Sequence, residues 1–220
     1  MSKTQTTAKS KPKQSNRGLI YWIGGSVVAL GLIVWLAASI ASDPGLDESI
    51  GFGEITVEGE PLPFLADPAA TDPALGFQAP TVSGADWNGN PYTIGADGRP
   101  KIVVFLAHWC PHCQAEVPRI QDWVDSGGLG DEVDLYAVTV LTNKLQGNWP
   151  PQEWLEREGW TAPTIMDDID SSAVRAYGMR GTPFYVVLDG DNVNVGRFSG
   201  EVGVEGLEVM KTLAQATLDS

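Results

Sequence analysis

Apolar and polar positions divide the 220-residue chain into stretches of different character. Residues 1–17 are polar and basic, a pattern that predicts disorder. From Leu19 to Ala41 the chain is almost continuously apolar, and no charge occurs between Gly18 and Ser42. As a helix, Leu19–Ala41 would span about 34 Å, slightly more than the hydrocarbon of a bilayer. Further on, the pattern becomes that of a folded domain. "KIVVFLA" (Lys101–Ala107) is an unbroken β-branched and apolar run, the signature of a strand buried on both faces. A helical period follows through about Asp125, with Val117, Ile120 and Trp123 on the inner face and a kink expected at Pro118. "VDLYAVTV" (Val133–Val140) predicts a second buried strand, and "PQEWLEREG" (Pro151–Gly159) a helix with Pro at its start and Gly at its end.

The remaining elements are shorter. A hairpin is expected from about Thr81, with "NGNPYTI" (Asn88–Ile94) reading as its turn followed by its short far strand. "APTIMDD" (Ala162–Asp168) reads as a short strand and "SSAVRAYG" (Ser171–Gly178) as a short helix. Residues 183–200 read as a β-hairpin turning at Asp189–Asn192, and a closing amphipathic helix runs over about Val204–Leu218. Strands and helices in this alternation predict an α/β sandwich, a mixed sheet flanked by helices. Between the apolar segment and this body, residues 43–80 hold six prolines and eight acids with no base, which suits an extended tether. Within it, "ITVEGEPLPFL" (Ile55–Leu65) alternates briefly and reads as a short strand or a docked arm. The expected divisions are a basic tail at 1–17, an anchor at 18–42, a tether at 43–76 and a folded domain at 77–220.

Charge fixes the orientation of the anchor. Five of the 14 basic residues (Lys3, Lys9, Lys11, Lys13 and Arg17) precede it, and none occurs between Ser42 and Arg99. The positive-inside rule keeps that end in the cytoplasm and exports the rest. A cleaved signal peptide competes, since Ser39-Ile40-Ala41 has the small-x-small form. The apolar run, however, exceeds the usual length of a signal h-region. Both readings place the body outside the cytoplasm. That body carries the other nine bases against all 28 acids, which would repel phosphate backbones and argues against nucleic acid as a partner.

All the histidines and cysteines fall in "HWCPHC" (His108–Cys113), between the buried strand and the helix. At that junction Cys110 meets backbone N–H groups without helical partners, which stabilise a thiolate. Pro111 suits the first helical position. Cys113 lies on the same face one turn later, a spacing that permits a disulfide. Cys110 is then the exchanging sulfur and Cys113 the resolving one. A protonated His112 would add a cation near the thiolate and make the disulfide more oxidising. A metal site is disfavoured, because four ligands within six residues can hardly wrap a tetrahedron. A plain structural disulfide or two buried thiols remain as alternatives. No separate cofactor is called for: the cysteine pair is itself the redox group.

These features resemble the thioredoxin-fold oxidoreductases, and more closely their membrane-anchored TlpA/ResA-like branch. The resemblance rests on "VVFLAHWCPHCQAEVP" (Val103–Pro118), "GTPFYVVLDGD" (Gly181–Asp191) and "APTV" (Ala79–Val82), and covers about residues 77–218. It implies a thioredoxin fold with an N-terminal hairpin and a strand-helix insertion at about Val133–Asp168. It implies a cis bond at Thr182-Pro183, in a loop that packs on the disulfide and binds an extended substrate. Trp109 then shields the disulfide or packs in the core, and His108 tunes the site or merely flanks it. Thioredoxin's buried aspartate is replaced by Val104, so Glu116, at the family's acidic position, is the candidate for proton transfer with Cys113; a solvent-facing role is its alternative. Pro111-His112 is the DsbA dipeptide, on a scaffold whose members are typically reductive. The expected function is oxidation of exported protein thiols, with a redox partner in the membrane. A reductase, for example in cytochrome c maturation, is the alternative, with a metallochaperone or a non-catalytic binding module behind it. Copper-delivery relatives use a distal histidine, and this chain has none beyond residue 112.

Overall fold

The computed structural model describes residues 51–216 and 218. The basic tail at 1–17 and the apolar segment at 18–42 lie outside the described residues. Among the described residues, no helix is long and apolar enough to cross a membrane.

The "KIVVFL" run forms β4 (Lys101–Leu106), and every one of its residues is buried. Side chains alternate across a strand, so β4 feeds two cores. Ile102, Val104 and Leu106 face one cluster with Val117, Ile120, Trp123, Leu207 and Met210. Val103 and Phe105 face the other, with Val138, Ala173, Tyr177, Leu62 and Leu65. Each such side chain contributes about 1.5–3 kcal/mol on burial, an upper estimate. Around β4 the sheet has the order β6-β5-β4-β7-β8. β5 (Asp134–Thr139) and β6 (Thr164–Met166) run parallel to it; β7 (Phe184–Leu188) is antiparallel to β4, and β8 (Asn194–Ser199) to β7. The helices are α1 (Pro111–Asp125), α2 (Pro151–Arg157), α3 (Ser172–Ala176) and α4 (Gly203–Gln215). α1 continues past Pro118, as its periodicity predicts. α3 is capped by carboxylates ahead of it: Asp168 accepts from Ser172 N–H (2.8 Å) and Asp167 from Ala173 N–H (2.9 Å).

The predicted hairpin is present as β2 (Thr81–Ala85) and β3 (Pro91–Ile94), in a second, antiparallel sheet with β1 (Thr56–Glu58) at its edge. Gly84 in β2 permits a close approach to the main sheet, since a Cβ there would lie 2.6 Å from Ile165 Cγ2.

The expected tether at 43–76 needs correction over its described part. Residues 51–76 pack on the domain: Leu62, Leu65 and Ala74 are buried. Leu62 N–H donates to Ala176 O (2.9 Å), and Leu65 N–H to Gly178 O (3.1 Å). Both alternatives for Ile55–Leu65 hold together, a strand followed by a docked arm. Composition misleads because one of the acids is matched from far along the chain. Asp72 receives Arg197 Nε at 2.9 Å and Nη2 at 2.5 Å, and that arginine side chain is fully buried. Burial opposes ionisation of Asp72, but the hydrogen bonds from Arg197, then those from Ala74 and Asn194, hold its carboxyl below the usual range.

Register decides where chemistry sits. β4 delivers the chain to the cysteines at its C-terminal end. Phe105 pairs with Phe184 at the start of antiparallel β7, so Thr182-Pro183 arrives at that same end.

Candidate active site

The chain leaves β4 at Leu106 and turns through Ala107–Cys110, closed by Cys110 N–H donating to Ala107 O (3.0 Å). Pro111 then opens α1 with its φ preset and no N–H to satisfy. Cys110 is left as the N-cap in extended conformation, where first-turn N–H groups lack helical partners. Its Sγ–H donates to Thr182 O (3.3 Å) across the Thr182-Pro183 bond, which is cis. Burial pushes the Cys110 thiol up. The Thr182 side chain, the backbone N–H and thiol of Cys113, and the N–H of His112 together outweigh it, so the pKa lies below the ordinary thiol value. Cys113, one turn on, is fully buried and accepts from Ala107 N–H at 3.5 Å. Burial drives its pKa up to about 12. Both sulfurs are free thiols.

His108 neither points at the sulfurs by charge nor idles beside them. It is 1% exposed. Its Nδ1 donates to Gly147 O (2.7 Å), and its Nε2 accepts from Asn143 N–H (3.1 Å). Those two bonds require the neutral Nδ1–H tautomer, and burial correspondingly lowers its pKa, against a smaller opposing effect of the Gly147 carbonyl. His108 O also receives the amides of Gln114 (3.0 Å) and Asn148 (3.3 Å). Trp109 donates Nε1–H to Leu141 O (2.8 Å) while its ring packs partly buried on the core. The two residues thus hold the loop 141–148 against the motif. That loop, with Phe52, Trp149 and Ile169, lines an open apolar cleft of about 400 Å³.

Glu116 is fully buried, so its solvent-facing alternative is set aside. Oε1 accepts from Tyr185 Oη–H (3.0 Å) and from the N–H groups of Val202 and Gly203 (2.9 Å each). Oε2 accepts from Arg119 Nη1 (3.2 Å). All four neighbours donate, a pattern a carboxylate satisfies. Pro111 and His112 are exposed, and His112 Nδ1 meets Glu201 Oε1 at 2.6 Å. Among the described residues no group of three or more His, Cys, Asp or Glu side chains is placed to hold a metal ion.

The Redoxin family model matches residues 74–213, most of the folded part and more than half of the chain. The chain belongs to the Redoxin family.

Among curated relatives, this Redoxin domain is similar to the soluble secreted antigen MPT53 of Mycobacterium tuberculosis, 24% identical over 131 residues that cover 57% of this chain and 65% of that one. It is also similar to the sporulation thiol-disulfide oxidoreductase A of Bacillus subtilis, 29% identical over 91 residues, 41% of this chain and 51% of the relative. The match therefore spans less than two thirds of these relatives' length. Among solved structures, a thioredoxin-family thiol:disulfide interchange protein from Chlorobium tepidum superposes with a TM-score of 0.52 at 21% identity, covering 66% of this chain and 99% of that one. StoA from Bacillus subtilis gives 0.50 at 21%, covering 63% and 98%. At such identities the likeness establishes a thioredoxin-like fold, with its mixed sheet and flanking helices.

Three residues of this Redoxin site escape the motif. Tyr185 pairs across the sheet with Val104, the position where thioredoxin carries its aspartate, and brings a hydroxyl to the same face. Burial first, then the neighbouring Glu116 carboxylate, pushes that phenol far up. Its signal was the polar tip in an otherwise apolar strand. Arg119 and Glu201 meet at 2.7 Å (Nη1 to Oε2) although 82 positions apart, and nothing local in either stretch announces the contact.

Proposed function

We propose that this domain is an extracytoplasmic thiol-disulfide oxidoreductase of the TlpA/ResA-like kind, tethered to a membrane by residues 18–42 and acting on thiols of exported proteins through its CPHC pair. One observation carries the reading: two sulfurs on one helical turn have opposite properties. Cys110 lies beside the cis-proline loop with its thiol acidified, whereas Cys113 is sealed in the core with its thiol pushed to about 12.

That asymmetry suits exchange. A substrate thiolate attacks Cys110 Sγ of the disulfide, the Cys110–Cys113 bond breaks, and a substrate–Cys110 bond forms. Cys113 leaves as a thiolate and takes a proton, its preferred state. A second substrate thiolate attacks the substrate's own sulfur, and Cys110 departs as a stabilised thiolate. Two electrons pass to the cysteine pair, and the substrate dithiol becomes a disulfide. Glu116, bonded to the Tyr185 hydroxyl, is the group proposed to exchange a proton with Cys113. The apolar cleft lined by Leu141, Trp149 and Ile169 supports a polypeptide substrate, and the secreted relative MPT53 supports an exported setting.

Pro111-His112 favours oxidation of substrate thiols. The reductase reading has an observation on its side, since Glu201 offsets the charge of a protonated His112. Equilibration with glutathione decides the direction: a potential above about −200 mV supports the oxidase, and one near thioredoxin's, about −270 mV, assigns reduction. Oxidised protein mixed with a reduced, unfolded cysteine-containing polypeptide should remove two substrate thiols per pair reduced. Full activity of Cys110→Ala would sink the proposal.

A further inference from the structure

Gly200–Gly203 joins β8 to α4, and its residues touch separate parts of the site. Gly200 N–H donates to Pro183 O (2.8 Å). Glu201 accepts from His112 Nδ1 (2.6 Å) and Arg119 Nη1 (2.7 Å). Val202 and Gly203 donate to Glu116. The His112 side chain is 67% exposed, so packing does little to fix its rotamer. Glu201 does, because a carboxylate only accepts and therefore requires the hydrogen on Nδ1. Glu201 is itself held on its other oxygen by Arg119, which reaches back to buried Glu116.

We propose that Glu201 is a positioning residue for the dithiol: it clamps the His112 ring at the start of α1 and offsets its charge, so that Cys110 faces a paired imidazole instead of a bare cation. This rests on Cys110 and Cys113 being the exchanging pair. The charged and titratable groups near His112 along α1 are Cys110, Cys113, Glu116 and Arg119, and the one bonded to the ring is Glu201 on the turn. Glu205 in the first turn of α4 and Arg180 ahead of the proline loop belong to the neighbouring elements, and neither is hydrogen-bonded to His112.

The consequence is electrostatic. His112 first, then Arg119, hold the Glu201 carboxyl below its usual range, so it stays ionised at pH 5–8. With the ring protonated, the pair has no net charge. In Glu201→Gln one negative charge is gone from the start of α1, and a protonated ring there stands unpaired. The charge beside Cys110 is then more positive than in wild type, which stabilises its thiolate.

The test is the pH profile of Cys110 alkylation by iodoacetamide, from pH 4 to 9, in wild type, Glu201→Gln, His112→Ala and the double variant. The substitution in Glu201→Gln is isosteric and leaves the backbone bonds of the turn in place. Its thiolate fraction should exceed wild type about fivefold on the acidic limb, the scale of an exposed charge pair. A fivefold gain corresponds to roughly 20 mV in potential, at about 30 mV per tenfold. In the His112→Ala background the Glu201→Gln change should be smaller, because only the lost carboxylate charge remains. Superposed wild-type and Glu201→Gln profiles overturn the proposal, as does a shift of the same size without His112. Exchange with oxidised glutathione, run on the same samples, reports separately on the underlying reading: a wild-type dithiol that does not exchange defeats that reading, whatever Glu201 does to Cys110 acidity.

Discussion

At Cys110 the sulfur meets the Thr182 side chain and the N–H groups of His112 and Cys113, whereas Cys113 meets the Ala107 N–H inside the core. Reduced protein treated with iodoacetamide at pH 7 should therefore be labelled at Cys110 and spared at Cys113, as read by peptide mass spectrometry; equal labelling would contradict the assignment. The Cys110 rate should reach its plateau at lower pH than a free cysteine, because its thiolate forms earlier. Cys113 acts in the opposite sense on stability. Its folded value of about 12 lies above the unfolded thiol value, so the folded chain keeps a proton that the unfolded chain loses. The contribution is complete below about pH 8.5 and fades as pH rises towards about 12. Urea unfolding of the reduced protein should show this alkaline loss, and Cys113→Ala should show less of it. The acidity of Cys110 was legible from "CPHC" after a buried strand, because strand-to-helix geometry follows from the local pattern. The buried state of Glu116 was not, since its partners Tyr185, Val202 and Gly203 arrive from distant segments.

Strands and helices announce themselves by period; the connections do not. β4, β5 and α1 were readable because their apolar residues repeat on one or both faces, and the hairpins because of their turn residues. The loop 141–148 and the turn 200–203 carry no comparable signal, yet they position the site. His108 shows the difference. From sequence it stands between tuning and flanking, and the structure makes it a clamp whose partners are backbone groups of Asn143 and Gly147. His108→Ala strands both of those polar groups. At roughly 1–3 kcal/mol for an unsatisfied buried partner, the variant should lose about 2–4 kcal/mol in denaturant unfolding. Amides of 141–148 should exchange faster in the same variant. Unchanged protection there would refute the clamp.

Across the described part of the chain, the layering follows from one fact readable in the sequence: a central strand apolar on both faces must be covered on both sides, although the order of the strands was not readable. Where folding begins was not readable. Prolines and unpaired-looking acids describe a tether until Arg197 is seen to reach Asp72, and Leu62 and Leu65 to enter the second core. Asp72→Ala should accordingly cost about 3 kcal/mol, the scale for stripping one partner from a buried ion pair, as measured by urea unfolding. A chain beginning at residue 77 should unfold at lower denaturant than one beginning at residue 51. Equal midpoints would mean that the arm is an ornament on the domain.

The central claim, exchange through Cys110 with Cys113 resolving, is tested most directly by trapping. Cys113→Ala, incubated with a cysteine-containing unfolded polypeptide activated as a mixed disulfide, should accumulate a covalent complex through Cys110, visible on a non-reducing gel and released by dithiothreitol. Cys110→Ala should form none. A complex that forms equally well through Cys113, or no complex from either variant, would contradict the account.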